Sequence, residues 1–181
     1  MNLIAPIDAE QQQRVRIATY DYIQLAGRLF NRCFPPIDVS FDLRGRSAGM
    51  YRVRRHERWI RYNPYLFAKY FDDNLQTTVP HEVAHYVTDV LHGLRNIRPH
   101  GPEWRAVMLA FGADDSVTCA YELTGIPQRR QMRYEYRCSC QSHQLSAQRH
   151  NKIRSGRAHY YCRCCGDSLV RVRAAGPALL I

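Results

Sequence analysis

The stretch His81-Glu82-Val83-Ala84-His85 constrains this chain more than any other. Residues four apart on a helix share one face, so an H-E-x-x-H pattern aims two imidazoles at one metal ion. Glu82 then stands beside that ion without ligating it, placed to act as a general base towards water. Leu75, Val79, Val83, Val87, Val90 and Leu91 recur at spacings near three and four, which predicts a buried helix around the motif. Without a third ligand, the plainer reading is a helix with two ordinary histidines.

A catalytic zinc takes three protein ligands and leaves one position open. The metzincin pattern would place the third ligand at Leu91, so that pattern is excluded. The remaining candidates are His92, His100 and Glu103. His92 is two turns past His85, too far along the axis to share an ion. His100 is better placed. Gly93 ends the helix, residues 95–99 form a return loop, and Pro102 suits the first turn of a second helix. A histidine at that entrance faces back towards the first helix.

Cysteines form a second constellation. Cys138-Ser139-Cys140 and Cys162-Arg163-Cys164-Cys165-Gly166 are two close clusters, the spacing of a four-thiolate structural metal site with a hairpin between them. Two ligand sets fit this spacing: Cys138, Cys140, Cys162 and Cys165, or a set in which His143 replaces Cys138. Cys164 reads as a bystander, and Cys33 and Cys119 as small apolar core residues. Arg149, His150, Lys152, Arg154, Arg157 and His159 lie between the clusters. A metal-stapled hairpin with a basic face, and no base-reading helix, predicts nucleic-acid binding through phosphates with little sequence preference.

HEVAH followed by a loop and His100-Gly101-Pro102-Glu103-Trp104 closely resembles the SprT family of zinc metalloprotease-like proteins. Its eukaryotic branch, Spartan, degrades proteins crosslinked to DNA. The resemblance spans roughly residues 10 to 173 and includes Arg44-Gly45-Arg46-Ser47-Ala48-Gly49 and the cysteine clusters. It implies His81, His85 and His100 as ligands of a catalytic zinc and Glu82 as catalytic acid/base. It also implies Cys138, Cys140, Cys162 and Cys165 as ligands of a structural zinc. Glu103 reads as charge compensation at a helix N-terminus, and Trp104 as a core aromatic beneath the zinc site.

Net charge sharpens this division. Residues 1–127 carry 15 Arg/Lys against 14 Asp/Glu, whereas residues 128–181 carry 11 against 2. Nearly the whole excess of +10 therefore lies in the last third, which suggests a polyanionic partner. No apolar run reaches membrane-span length, and no secretory signal is evident, so a cytoplasmic protein without membrane contact is expected. Reduced cysteines in that compartment favour metal over disulfides.

The expected fold is α+β, with a compact zincin-like domain at residues 1–127 and a basic zinc-ribbon module at residues 128–181. In order, the first domain has a helix over residues 11–30 and a three-stranded antiparallel meander. Its strands are residues 37–43, 50–55 and 58–62, with a tight turn at His56-Glu57. Asn63-Pro64 starts a short helix, Asp72-Asp73-Asn74 caps the HExxH helix, and Pro80 kinks or restarts it. Tyr134 and Tyr136, interleaved with arginines, read either as a nucleic-acid path or as a connector and strand. Residues 174–181 read as a frayed apolar end. The functional expectation is a zinc-dependent peptidase acting on DNA-associated or DNA-crosslinked proteins. The alternative is a zinc-containing nucleic-acid-binding or regulatory protein with negligible peptidase activity. A hydrolase of another amide is a third reading, because HExxH specifies water activation and not the acyl group.

Overall fold

In the computed structural model, a reciprocal pair of hydrogen bonds fixes the start of the first helix. Asp8 accepts the N–H of Gln11 at 2.8 Å, and Gln11 Oε1 accepts the N–H of Asp8 at 3.3 Å. This capping box opens α1 (Ala9–Leu29). Residues 3–55, 57–116, 121–128 and 132–172 are described, and the chain divides into two units, residues 1–129 and 130–181. The expected turn at His56, the core role of Cys119 and the apolar end at 174–181 lie outside the described residues. No helix is long and apolar enough to cross a membrane among the described residues.

The first unit is built around α4 (Thr78–His92). Val15, Thr19, Ile23 and Ala26 form the buried stripe of α1, and α1 packs on α4. On α4 itself Val79, Val83, Ala84, Tyr86 and Val87 are all buried, so the helix is covered on most sides. The short helices α2 (Pro64–Lys69) and α3 (Phe71–Gln76) precede it, and α5 (Pro102–Ala110) follows. Asp72 to Asn74 do not cap α4, contrary to the sequence reading. They belong to α3, and the Asn74 side chain instead accepts the Thr78 hydroxyl at 2.7 Å. Thr77 stays near helical geometry at the junction, and α4 restarts with Pro80 in its first turn. The missing proline N–H has no intrahelical partner there, so it costs nothing.

The first sheet departs from the expected antiparallel meander. Its order is β1-β3-β2, for β1 (Asp38–Ser40), β2 (Gly49–Arg54) and β3 (Glu57–Tyr62). β2 pairs antiparallel with β3, but β1 pairs parallel with it. The alternation over residues 37–43 continues past the strand because the chain leaves the sheet after Ser40. It crosses the end of β3, where Leu43 N–H donates to Tyr62 O at 3.2 Å, and begins β2 opposite Tyr62. The Arg44–Ala48 stretch is thus a crossover, and it places β2 on an edge of the sheet. Fully buried Asn63 holds this loop. Its Nδ2 donates to Gly45 O and Ser47 O at 3.0 and 3.2 Å, while its Oδ1 accepts the N–H groups of Tyr65 and Leu66.

The second unit has β4 (Arg133–Arg137), β5 (Ser142–Ser146), α6 (Ala147–Arg154) and β6 (Val170–Arg171), with sheet order β5-β4-β6 and antiparallel pairing throughout. The segment between the cysteine clusters is therefore not a plain hairpin. Ser146 caps an eight-residue helix, and that helix sends His150 into the small core. There the imidazole stacks on Tyr134 at 3.8 Å between centroids, and its Nδ1 lies 2.9 Å from the Tyr136 hydroxyl. Both tyrosines lie in β4 and are engaged inside the unit, in line with the strand alternative of the sequence reading. Cys33 is exposed and is not a core residue.

Asn63→Ala removes the α2 cap and leaves the buried Gly45 carbonyl without its partner. It should destabilise the first unit by about 2–4 kcal/mol, read as a lower urea midpoint in equilibrium unfolding.

Candidate metal centres

Three imidazoles converge between α4 and the start of α5. His81 and His85 sit one turn apart on α4, and His100 reaches them from the loop that follows Gly93. His100 Nε2 lies 3.0 Å from His85 Nε2 and 3.0 Å from His81 Nε2. The loop holds His100 at a φ of 56°, a left-handed conformation that costs a non-glycine residue about 1 kcal/mol or more. The Gly101 N–H closes a turn onto Arg98 O at 3.0 Å, which fixes that geometry. Trp104, 1% exposed, packs its indole against all three rings and donates its Nε1–H to His81 O at 3.3 Å. Glu103 occupies the first turn of α5.

Burial keeps these rings neutral. It pushes His81 down to about 4 and, helped by the other two rings, His85 to about 3; His100 is lowered for the same reason. A neutral ring nitrogen carries either one proton or one lone pair, so His100 Nε2 cannot satisfy both neighbours at once. A cation accepting three lone pairs resolves that conflict. The three groups could hold a metal ion, and their donor atoms all lie within 4.8 Å of one another. Three imidazoles are a donor set that suits zinc and leaves a position open.

Glu82 stands at the wall of the same groove, 6% exposed. Its Oε2 accepts the Tyr51 N–H at 2.6 Å, a donor from the edge strand β2. Burial raises its carboxyl to about 8 against the opposing pull of that hydrogen bond. Gly49 makes the approach possible: a Cβ there would lie 2.5 Å from Glu82 Cγ and 2.8 Å from Thr78 Cγ2. The groove has a volume of about 500 Å³ and is lined by β2 residues 49–53, by the histidines and by the loop through Leu94, Ile97 and Pro99. His92 lies outside this lining.

In the second unit, Cys138, Cys140, Cys162 and Cys165 could hold a second ion, with sulfurs within 4.8 Å of one another. The Cys138–Cys140 and Cys140–Cys162 sulfur separations are 3.4 and 3.6 Å, far longer than a disulfide bond. Backbone N–H groups of Cys165 and Cys164 lower the Cys162 thiol, while the neighbouring sulfurs, Cys138 first, raise Cys140. Four thiolates so close repel one another unless a cation sits among them. His143 Nε2 contacts Cys138 Sγ at 3.3 Å and is outside the cluster, as is exposed Cys164.

Sequence reasoning missed Gly49 as a steric requirement and Tyr51 as the partner of Glu82. A small residue in a strand hinted at the first; no local signal marked the second.

Comparisons with known proteins agree on a family. The SprT-like family profile matches residues 19–124. A protein named SprT from Vibrio parahaemolyticus is 37% identical over 164 residues, covering 90% of this chain and 95% of its own length. Another from Pseudomonas paraeruginosa is 42% identical over 145 residues, covering 78% and 84% respectively. No solved structure matches the chain.

Gly49→Ala should destabilise the first unit by about 1–3 kcal/mol through overpacking. Glu82→Ala, which removes the nearest atoms, should recover part of that loss. A double-mutant cycle in urea should give a coupling of about 1 kcal/mol, and additive losses would place the strain elsewhere.

Proposed function

The chain belongs to the SprT-like family, and from that premise we propose that it is a zinc-dependent peptidase of the cytoplasm acting on DNA-associated or DNA-crosslinked proteins. The observation that carries this reading is Glu82: a buried carboxylate facing an open groove beside three convergent, neutral imidazoles. A purely structural metal site needs neither the groove nor the acid. His81, His85 and His100 would hold the catalytic zinc, and Cys138, Cys140, Cys162 and Cys165 a structural one. A zinc ion at three histidines lowers the pKa of a coordinated water to about 7 and polarises a carbonyl.

The chain's own residues supply the rest. Glu82 Oε1, free of the Tyr51 hydrogen bond, takes a proton from water in the groove and returns it to the leaving amine. Burial raises the proton affinity of that carboxyl, which favours its taking up the proton. β2 is an edge strand whose residues 49–53 line the groove, so an extended peptide can lie along it by main-chain hydrogen bonding. Apolar Met50, Val53 and Ile97 offer contacts for its side chains.

The second unit supplies affinity for nucleic acid. Arg133, Arg137, Arg149, Lys152, Arg154, Arg157, Arg163 and Arg171 are all exposed, and none forms a salt bridge among the described residues. Charge left unpaired in this way suits phosphate contacts. The same observation favours the second reading, a zinc-containing nucleic-acid-binding protein without peptidase activity.

The deciding experiment compares zinc-loaded wild type with Glu82→Gln on a DNA-crosslinked protein and on the same protein free. Wild type should cleave the crosslinked form preferentially, and Glu82→Gln should lose about 10²- to 10⁴-fold in rate while keeping its metal. Absence of cleavage by wild type, with zinc and DNA binding intact, would select the second reading. DNA affinity should also fall by roughly 500-fold between 50 and 200 mM salt if about five phosphates are contacted, and a flat salt profile would refute the electrostatic account.

A further inference from the structure

Beyond the histidines and Glu82, one more buried ionisable group faces β2. Asp89 lies two turns past Glu82 on α4 and is 5% exposed. It is the meeting point of four segments. Its Oδ2 accepts the Tyr51 hydroxyl at 2.6 Å and Arg58 Nε–H at 2.6 Å, from β2 and β3 respectively. Its Oδ1 accepts the Leu94 N–H at 3.0 Å, at the head of the loop that carries His100. Its backbone carbonyl accepts the Gly93 N–H at 2.8 Å, closing the helix.

We propose that Asp89 is the positioning residue of this site, holding the strand that addresses Glu82 through one carboxylate oxygen and the loop that presents His100 through the other. The inference rests on the peptidase reading for its catalytic consequence, but its geometric content is independent. Tyr51 is pinned at both ends: its N–H to Glu82 and its hydroxyl to Asp89. The strand therefore cannot slide along α4 without breaking one bond or the other, and one Glu82 oxygen stays engaged. Arg58 holds the shared oxygen from the neighbouring strand and neutralises a buried charge. On the other side, the Leu94 N–H fixes the start of a loop whose far end holds a left-handed histidine. Without that anchor the loop can relax away from the conformation His100 needs. Asp89 is not itself among the residues that line the groove; it reaches the site through Tyr51 and Leu94, which are.

The arms make separable predictions. Tyr51→Phe cuts only the strand arm. Zinc-loaded Tyr51→Phe should show kcat lowered about 10-fold with KM little changed, and unaltered metal affinity at the histidine site. Asp89→Ala cuts both arms, because it removes all three side-chain acceptor contacts and Arg58 loses its counter-charge. It should lower kcat further and weaken metal binding at the histidines about 10- to 100-fold. Metal affinity is read by cobalt titration of the full chain. Nitrogen-only ligation lacks the sulfur-to-metal charge-transfer bands of the cysteine cluster, so the two sites are followed separately. Circular dichroism confirms that each variant is folded. Wild-type turnover and metal affinity retained by folded Asp89→Ala, with only a lower melting temperature, would overturn the proposal. Full kcat in Tyr51→Phe would overturn the strand arm. If wild type shows no turnover, the peptidase reading fails and the cobalt measurement alone decides: weakened binding in Asp89→Ala supports the loop arm, and unchanged binding overturns it.

Discussion

The contact between α4 and the edge strand β2 is the constraint on which the first unit depends. Two carboxylates on that side of the helix, Glu82 and Asp89, lose their water when the strand closes over them. Burying an ionised carboxylate costs several kcal/mol, and each charge-assisted hydrogen bond returns about 1.5–3 kcal/mol. Asp89 receives three donors, one of them a guanidinium, which offset most or all of that cost. Glu82 receives only the Tyr51 N–H. Burial therefore leaves Glu82 with a raised proton affinity, which suits it to proton transfer.

Backbone geometry enforces the same separation. Gly49 lets the strand approach until it touches Glu82, where any side chain would collide. Thr78, the first residue of α4, forms the other wall of that contact and is itself held by Asn74. The histidines are arranged by different means: two on a rigid helix, one on a loop in a strained conformation, all resting on Trp104. Strain persists only where surrounding structure over-determines it. Here the Gly101 turn, the indole beneath and the Asp89 anchor at the head of the loop do so.

Local features of this arrangement were legible in the sequence, because their causes are local. Helical period put His81 and His85 on one face, Gly93 ended the helix, and Pro102 began the next. The two cysteine clusters announced themselves by spacing. What could not be read was set by partners far apart in sequence. Tyr51 and Asp89 are 38 residues apart, and the parallel pairing of β1 with β3 depends on a crossover loop held by Asn63. Alternation over residues 37–43 reports which side of a strand is apolar but says nothing of its neighbour. In the second unit, α6 escaped notice because its segment is polar almost throughout and presents only His150 to the core. A helix with a single inward residue has no periodic stripe to detect.

The two units also spend charge differently. All the salt bridges among the described residues lie in the first unit, and three of them tie segments well apart in sequence at short range: Arg58 to Asp89, Arg61 to Asp42, Lys69 to Glu122. Among the described residues of the second unit the arginines form no salt bridges, and two lie over tyrosine rings instead. Its core is little more than Tyr136, Leu145, His150 and two cysteines. So small a core offers little to set against the mutual repulsion of a basic surface. A divalent ion held by four thiolates carries a net charge of about −2 and crosslinks both ends of the unit. It would therefore relieve the repulsion and staple the fold together.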